Sequence, residues 1–192
     1  MEIKRCTWVK LNNSEYVKYH DTEWGTPVFD DQTLFEFIVL ESAQAGLSWE
    51  IILNKRDGYR KLFKNFDPKK VALFTKRDVA RLLKDERIVR NRLKIEATIT
   101  NARAFRSIQK EFGSFSNYMW GWVNNTPIQN AWKQSESLPA VTELATAMSK
   151  DLKKRGFKFL GPTVWYAHMQ AVGMVNDHSV ECFRYHEVKH LV

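Results

Sequence analysis

Lys153-Lys154-Arg155-Gly156-Phe157-Lys158-Phe159-Leu160-Gly161-Pro162 is the stretch whose reading decides the fold. Thr142, upstream, can cap a helix running through Lys154, and Pro162 suits the first position of another helix reaching to about Met174. Gly156 and Gly161 permit positive φ and a close approach of backbone to a ligand. Backbone N–H groups ahead of the Pro162 helix would face outward, and helix N-termini bind phosphate well. Lys153, Lys154, Arg155 and Lys158 surround the turn. A helix-hairpin-helix over 143–174, gripping the phosphates of one DNA strand, needs these features. An ordinary αα-hairpin with a solvated basic face shows them too, and the pattern alone leaves both readings open.

Outward from this hairpin, segments of helical period follow one another. Asp31 is placed to cap a stripe of Leu34, Phe35, Ile38 and Val39 running to about Gln44. Gly46 breaks it, and Ser48 can cap a second helix carrying Trp49, Ile51, Ile52 and Leu53. Asp67-Pro68 opens a short helix through Phe74, and Thr75 with Asp78 forms a capping box before Val79, Leu82 and Leu83. A longer helix is expected from near Leu93 to Phe112, stopped by Gly113, and then a short aromatic one from Phe115 to Val123. Residues 124–140 form the one long polar connection. With no alternating strand, internal repeat or low-complexity tract, the expected architecture is all-α.

The chain of 192 residues suits one compact domain, or two small ones tightly joined. Its 44% hydrophobic and 27% charged residues exclude disordered, collagen-like and coiled-coil classes. No window approaches eighteen apolar residues, and Met1–Lys10 has no apolar run behind its charges, so neither a membrane span nor a secretory signal is expected. A cytoplasmic location follows by default. The net charge of +8 argues for an anionic partner, and no segment has the faces of a membrane-surface helix. Together with seven tryptophans, which can stack on bases, this favours nucleic acid over a basic enzyme with a Trp-rich core.

Cys6 and Cys182 are the only cysteines. His178 and Cys182, four apart, face the same way on a helix. With Cys6 and His20 they could close a tetrahedral Cys2His2 zinc site tying the two ends of the chain together. His186 and His190 continue the same spacing as rival ligands, and two buried free cysteines with surface histidines remain the plainer reading of these residues.

Glu41 ends the apolar face of Leu34, Phe35 and Ile38, where a carboxylate is expensive unless it is paired or awaits a cationic ligand. Trp8, Tyr19, Trp24 and Trp49 could supply flat walls. A purine alkylated on a ring nitrogen is a cation, attracted by π-faces and by a carboxylate alike. The set is therefore a coherent pocket for an alkylated base, although a helix-end ion pair and core packing explain each residue singly.

Five dispersed strings resemble the 3-methyladenine-DNA glycosylase I family of bacterial repair enzymes over nearly the whole chain. They are Arg5-Cys6-x-Trp8; Tyr19-His20-Asp21-x-Glu23-Trp24-Gly25; Leu40-Glu41-x-x-x-Ala45-Gly46-Leu47-Ser48-Trp49; Lys154 to Gly161; and Asn176-Asp177-His178 with Cys182. The resemblance implies one unit over residues 1–192 with a helix-hairpin-helix glycosylase fold. It implies a structural zinc on Cys6, His20, His178 and Cys182, with His186 and His190 left as surface residues. It also implies a pocket built from Glu41, Tyr19 and Trp49, with Trp8 and Trp24 near the base. The implied reaction is hydrolytic removal of flipped-out 3-methyladenine, and less readily 3-methylguanine, leaving an abasic site. Glu41 is expected to act through recognition and electrostatics. Leu47 would be the wedge entering the vacated stack, with Gly46 letting the backbone come close, and Lys154, Arg155, Gly156, Lys158 and Gly161 would form the phosphate grip. No lysine stands in the pocket, so no strand-cleaving lyase step is expected. The expected partner is duplex DNA carrying alkylated purines, bound by a monomer without protein or membrane partners. Asp177 is open to two roles, assisting catalysis or supporting the metal ligand beside it. A non-catalytic reader of alkylated DNA is the alternative from another class.

Overall fold

Leu34, Phe35, Phe37, Ile38, Val39 and Leu40 are all buried, so helix α2 (Asp31–Gln44) is apolar on every side and takes the centre of the molecule. The computed structural model describes residues 3–133 and 138–191. Around α2 pack α3 (Trp49–Leu62), α6 (Arg92–Phe112), α7 (Phe115–Gly121) and α9 (Pro162–Ala171). Helix α1 (Ser14–Thr22) lies on α3, α4 (Pro68–Val71) and α5 (Lys76–Leu82) lie on α6, and α8 (Glu143–Lys154) pairs with α9. Helix α10 (Phe183–Lys189) closes the described chain. The all-α expectation holds with one small exception among the described residues. Two-residue strands β1 (Ile128–Gln129) and β2 (Val175–Asn176) pair in parallel, Ile128 opposite Val175, inside a region read as loop and helix end.

Capping explains most helix boundaries. Ser48, Asp67 and Thr142 cap α3, α4 and α8 as their positions suggested, and Thr75 with Asp78 forms a capping box at α5. Asp31 does not cap α2. Asp30 does, accepting from Thr33 N at 2.8 Å, while the Asp31 carboxylate caps α7 by accepting from Phe115 N at 2.9 Å and Ser116 N at 2.8 Å. In an Asp-Asp pair either residue can cap the local helix, and only the tertiary neighbour separates them. Helix α9 stops at Ala171 rather than Met174. Gly173 turns there at φ 68°, against the backbone of Thr26 and Pro27 where no Cβ would fit. The helices expected to reach Phe74 and Val123 end at Val71 and Gly121.

His168, on α9, is fully buried, stacked on Trp165 at 4.5 Å, and neither ring nitrogen has a hydrogen-bond partner among the described residues. Burial holds it down to about 3, far below the ordinary imidazole range. Because the unfolded chain takes up this proton first, stability is full above about pH 6.5 and falls toward pH 3, by at most roughly 5 kcal/mol. His168→Phe keeps the stack and has no proton to take up. Its melting temperature should therefore fall less steeply than the wild type's between pH 6 and 4.

Candidate active site and metal centre

Glu41, in the last turn of α2, is 4% exposed, and no donor or cation among the described residues reaches its carboxyl group. Burial alone lifts it to about 8. The group is thus mostly neutral at pH 7 and ionises readily once a positive charge arrives. It opens on a cavity of about 230 Å³ lined by Trp8, Tyr16, Tyr19, Trp24, Gln44 and Trp49 from the N-terminal region and by Leu138, Ala167 and Gln170 from the C-terminal half. Tyr19 and Trp49 meet at 5.2 Å, and Trp8 packs edge-on to Trp24 at 4.9 Å and to Tyr16 at 5.7 Å. Burial, then the nearby Glu41, pushes the Tyr19 hydroxyl well up and keeps it neutral.

All five residues read as pocket walls or carboxyl from the sequence therefore meet in one cavity. Tyr16, Gln44, Leu138, Ala167 and Gln170 were missed. Tyr16 is one helical turn from Tyr19 and Gln44 one turn from Glu41, so helical spacing alone would have found both. Nothing local points from α9 to a carboxyl on α2, and Gln170 and Ala167 had no such signal.

Cys6, His20, His178 and Cys182 converge behind this cavity, all buried, their ligand atoms within 4.8 Å of one another. The Sγ to ring-nitrogen separations are 3.4, 3.5 and 3.6 Å. With ordinary zinc–sulfur and zinc–nitrogen bonds, a tetrahedral edge of this kind spans about 3.6 Å. The donor set therefore fits a closed tetrahedral ion. Its far side is built as well: Asp21 accepts from His20 Nδ1 at 2.8 Å, Arg5 holds Asp21 at 2.7 Å, and Trp24 O lies 3.0 Å from His178 Nε2. Hydrogen bonds from Cys182 and the histidines hold the Cys6 thiol well down, while the hydrogen bond to Cys6, then burial and the Cys6 charge, push Cys182 up, so that two thiolates here require a cation. Gly25, at φ 78°, must lack a side chain because a Cβ would meet His178 Nε2 at 2.8 Å. His186 and His190 are exposed and apart from the cluster.

The α8–α9 hairpin carries exposed Lys153, Lys154 and Lys158. Gly156 turns at φ 94° with open space beside it. Gly161 is different: its φ is −63° and Phe159 takes the left-handed conformation instead, at φ 56°, so Gly161 offers only an uncrowded backbone. Arg155 already has partners, Asp151 at 2.6 Å and Glu111 at 2.7 Å, and lies over the rings of Phe112 and Tyr118. It ties α8 to α6 and does not stand free for a phosphate. Lys158 N is fixed by Asn101 Oδ1 at 2.8 Å. At the α2–α3 turn Gly46 has φ 77° with nothing close by, Leu47 is half-buried, and Lys94 caps the preceding carbonyls of Ala43 and Ala45 at 2.8 and 2.7 Å.

A narrow aromatic slot ending in one unpaired carboxyl suits a flat, nitrogen-rich ring better than a sugar or a peptide. With α9 of the hairpin supplying Ala167 and Gln170 to its wall, the layout defines a helix-hairpin-helix protein that holds a single base. More narrowly, the chain belongs to the methyladenine glycosylase family, whose model matches residues 8–185. It is 47% identical over 178 residues to a DNA-3-methyladenine glycosylase of Haemophilus influenzae, covering 93% of this chain and 96% of that protein. It is 46% identical to DNA-3-methyladenine glycosylase 1 of Escherichia coli, covering 95% and 97%. Among solved structures, a 3-methyladenine DNA glycosylase I superposes with a TM-score of 0.91 at 45% identity over 94% of this chain and 98% of that one. The Staphylococcus aureus enzyme, whose structure addresses 3-methyladenine recognition, superposes at 0.90 with 38% identity, covering 93% and 95%.

Proposed function

We propose that the chain is a DNA repair glycosylase that removes 3-methyladenine from alkylated duplex DNA, with Glu41, Trp8, Tyr19, Trp24 and Trp49 forming the base site. The observation that carries this reading is the unpaired, buried Glu41 inside an aromatic slot. Its raised pKa fits a cationic guest: entry of the alkylated purine drives off the proton and leaves carboxylate against cation. Adenine's exocyclic amine can donate to Glu41, whereas guanine turns a carbonyl oxygen to that edge, so 3-methylguanine is the poorer substrate. Water adds across the N-glycosidic bond, its oxygen joining the sugar carbon; the bond's electron pair neutralises the departing base, and one proton is released. The lesion's own charge makes it a good leaving group, so binding and electrostatics suffice. Among the described residues no lysine lines the cavity, which supports a glycosylase without lyase activity.

Zinc is the ion proposed for Cys6, His20, His178 and Cys182, since two thiolates and two imidazoles suit it and four protein ligands leave no open position. It would hold the walls of the pocket, because His178 packs on Trp24 at 4.6 Å. Buried free thiols suit the reducing cytoplasm. Among the described residues no helix is long and apolar enough to cross a membrane. Pocket and grip both come from one chain, which supports action as a monomer without a protein partner.

In the proposed grip, Lys154, Lys158 and the backbone at Gly156 and Gly161 hold phosphates, and Leu47 enters the stack vacated by the flipped base while Gly46 lets the backbone come close. Neutralising Lys154 or Lys158 should weaken binding to damaged and undamaged duplexes equally and lower the salt slope by about one per lysine removed. Arg155→Ala should leave that slope almost unchanged and lower thermal stability instead. Turnover separates enzyme from reader. With methylated duplex in excess, each chain should create many abasic sites, whereas a reader would bind one duplex and create none.

A further inference from the structure

Asp177 is 1% exposed, and its two oxygens accept four hydrogen bonds. Oδ1 takes Asn130 Nδ2 and Trp132 Nε1, each at 2.7 Å, and Oδ2 takes Tyr166 Oη at 2.6 Å and Gln170 Nε2 at 2.8 Å. A carboxylate so fully engaged has no lone pair left to activate water, so it does not serve as a general base. The network does fix something else. A carboxylate can only accept, so the amide of Gln170 must turn its nitrogen toward Asp177 and its oxygen away. Gln170 lines the base cavity, and no donor among the described residues reaches its Oε1. Gln44, the other amide of the cavity wall, has no such anchor among the described residues and can turn either end to a guest.

We propose that Gln170 Oε1 is a second, fixed acceptor in the base pocket, with Asp177 as the positioning residue that holds it that way round. The inference rests on the base-removal reading above and adds a specificity determinant to it. Adenine's exocyclic amine carries two hydrogens; Glu41 can take one and leaves one to be accepted. A guanine lesion presents a carbonyl oxygen there, and two acceptors oppose it where one alone would do so less. Discrimination of this kind is strong when a site's polar groups are buried and correctly oriented, because the wrong guest leaves them unpaired.

The test measures the ratio of 3-methyladenine to 3-methylguanine released from one methylated duplex by the full-length chain with its metal bound. Gln170→Met keeps the length of the side chain and removes the acceptor. It should lower kcat/KM for 3-methyladenine about tenfold, the scale of one hydrogen bond, and lower the ratio, leaving affinity for undamaged duplex unchanged. Asp177→Asn is the sharper variant, since its amide would donate to Gln170 and turn the nitrogen of Gln170 toward the cavity. Where that variant folds and retains metal, the ratio should shift further toward 3-methylguanine than in Gln170→Met. A folded Gln170→Met chain with the wild-type ratio overturns the inference. Failure of the wild type to release either base overturns the glycosylase reading instead.

Discussion

Glu41→Gln should lower 3-methyladenine excision on the order of a hundredfold, the scale of losing a preorganised electrostatic partner, while affinity for undamaged duplex stays within twofold or so of wild type. Glutamine keeps the shape of the side chain but cannot become an anion, so the loss falls on the step in which a cationic base is held. The same variant carries an opposite effect on stability. In the folded chain Glu41 stands at about 8, well above the ordinary value of 4.5. Between those two values the folded state holds a proton that the unfolded state has lost. Stability is therefore highest below about pH 4.5 as far as this group decides it, and it falls as pH rises toward 8, by at most roughly 5 kcal/mol. Glu41→Gln lacks that slope. Melting curves from pH 5 to pH 9 should show the variant gaining on the wild type as pH rises and exceeding it at pH 8 and above. A variant less stable at pH 9 and fully active would mean that Glu41 is a structural carboxylate.

Cys182→Ala should abolish metal binding and lower stability by several kcal/mol, because metal binding at a site joining distant parts of the chain is also folding free energy. Cys6 and Cys182 are separated by nearly the whole chain, and without the ion one thiolate and two imidazoles remain buried without a shared partner. The base pocket should suffer too, since Trp24 both lines the cavity and accepts from His178. Metal analysis of the purified wild type should give about one zinc per chain, and His186→Ala and His190→Ala should leave that figure unchanged. A Cys182→Ala chain with full metal content and an unaltered melting temperature would refute the ligand set.

How much of this could be read in advance follows from what each feature depends on. The helices of 31–82 were legible because their boundaries are written in adjacent residues: Ser48, Asp67-Pro68 and the Thr75–Asp78 pair each act within one turn. Asp31 misled because its partners, Phe115 N and Ser116 N, lie on a helix far along the chain. The end of α9 was misplaced for a similar reason, as Gly173 serves a backbone contact with Thr26 and Pro27 rather than a local pattern. At the site, Glu41 stood out because a carboxyl on an apolar face is costly, and the cysteines because there are only two. The basic turn read as a uniform cluster, yet Glu111 and Asp151 neutralise Arg155, whereas no ion pair among the described residues engages the lysines. Charge along a sequence does not show which cations are already matched. Gln170 carries no cost or rarity to mark it, and its importance arises only from Asp177 and the cavity together.

Chromatography of the small molecules released when the wild-type chain meets methylated duplex DNA tests the central claim most directly. Free 3-methyladenine should appear in amounts exceeding the protein, with less 3-methylguanine, and the DNA should carry abasic sites in strands that stay intact until treated with alkali. Stable binding of the damaged duplex with no base released would contradict the claim, and so would strands cut by the protein alone.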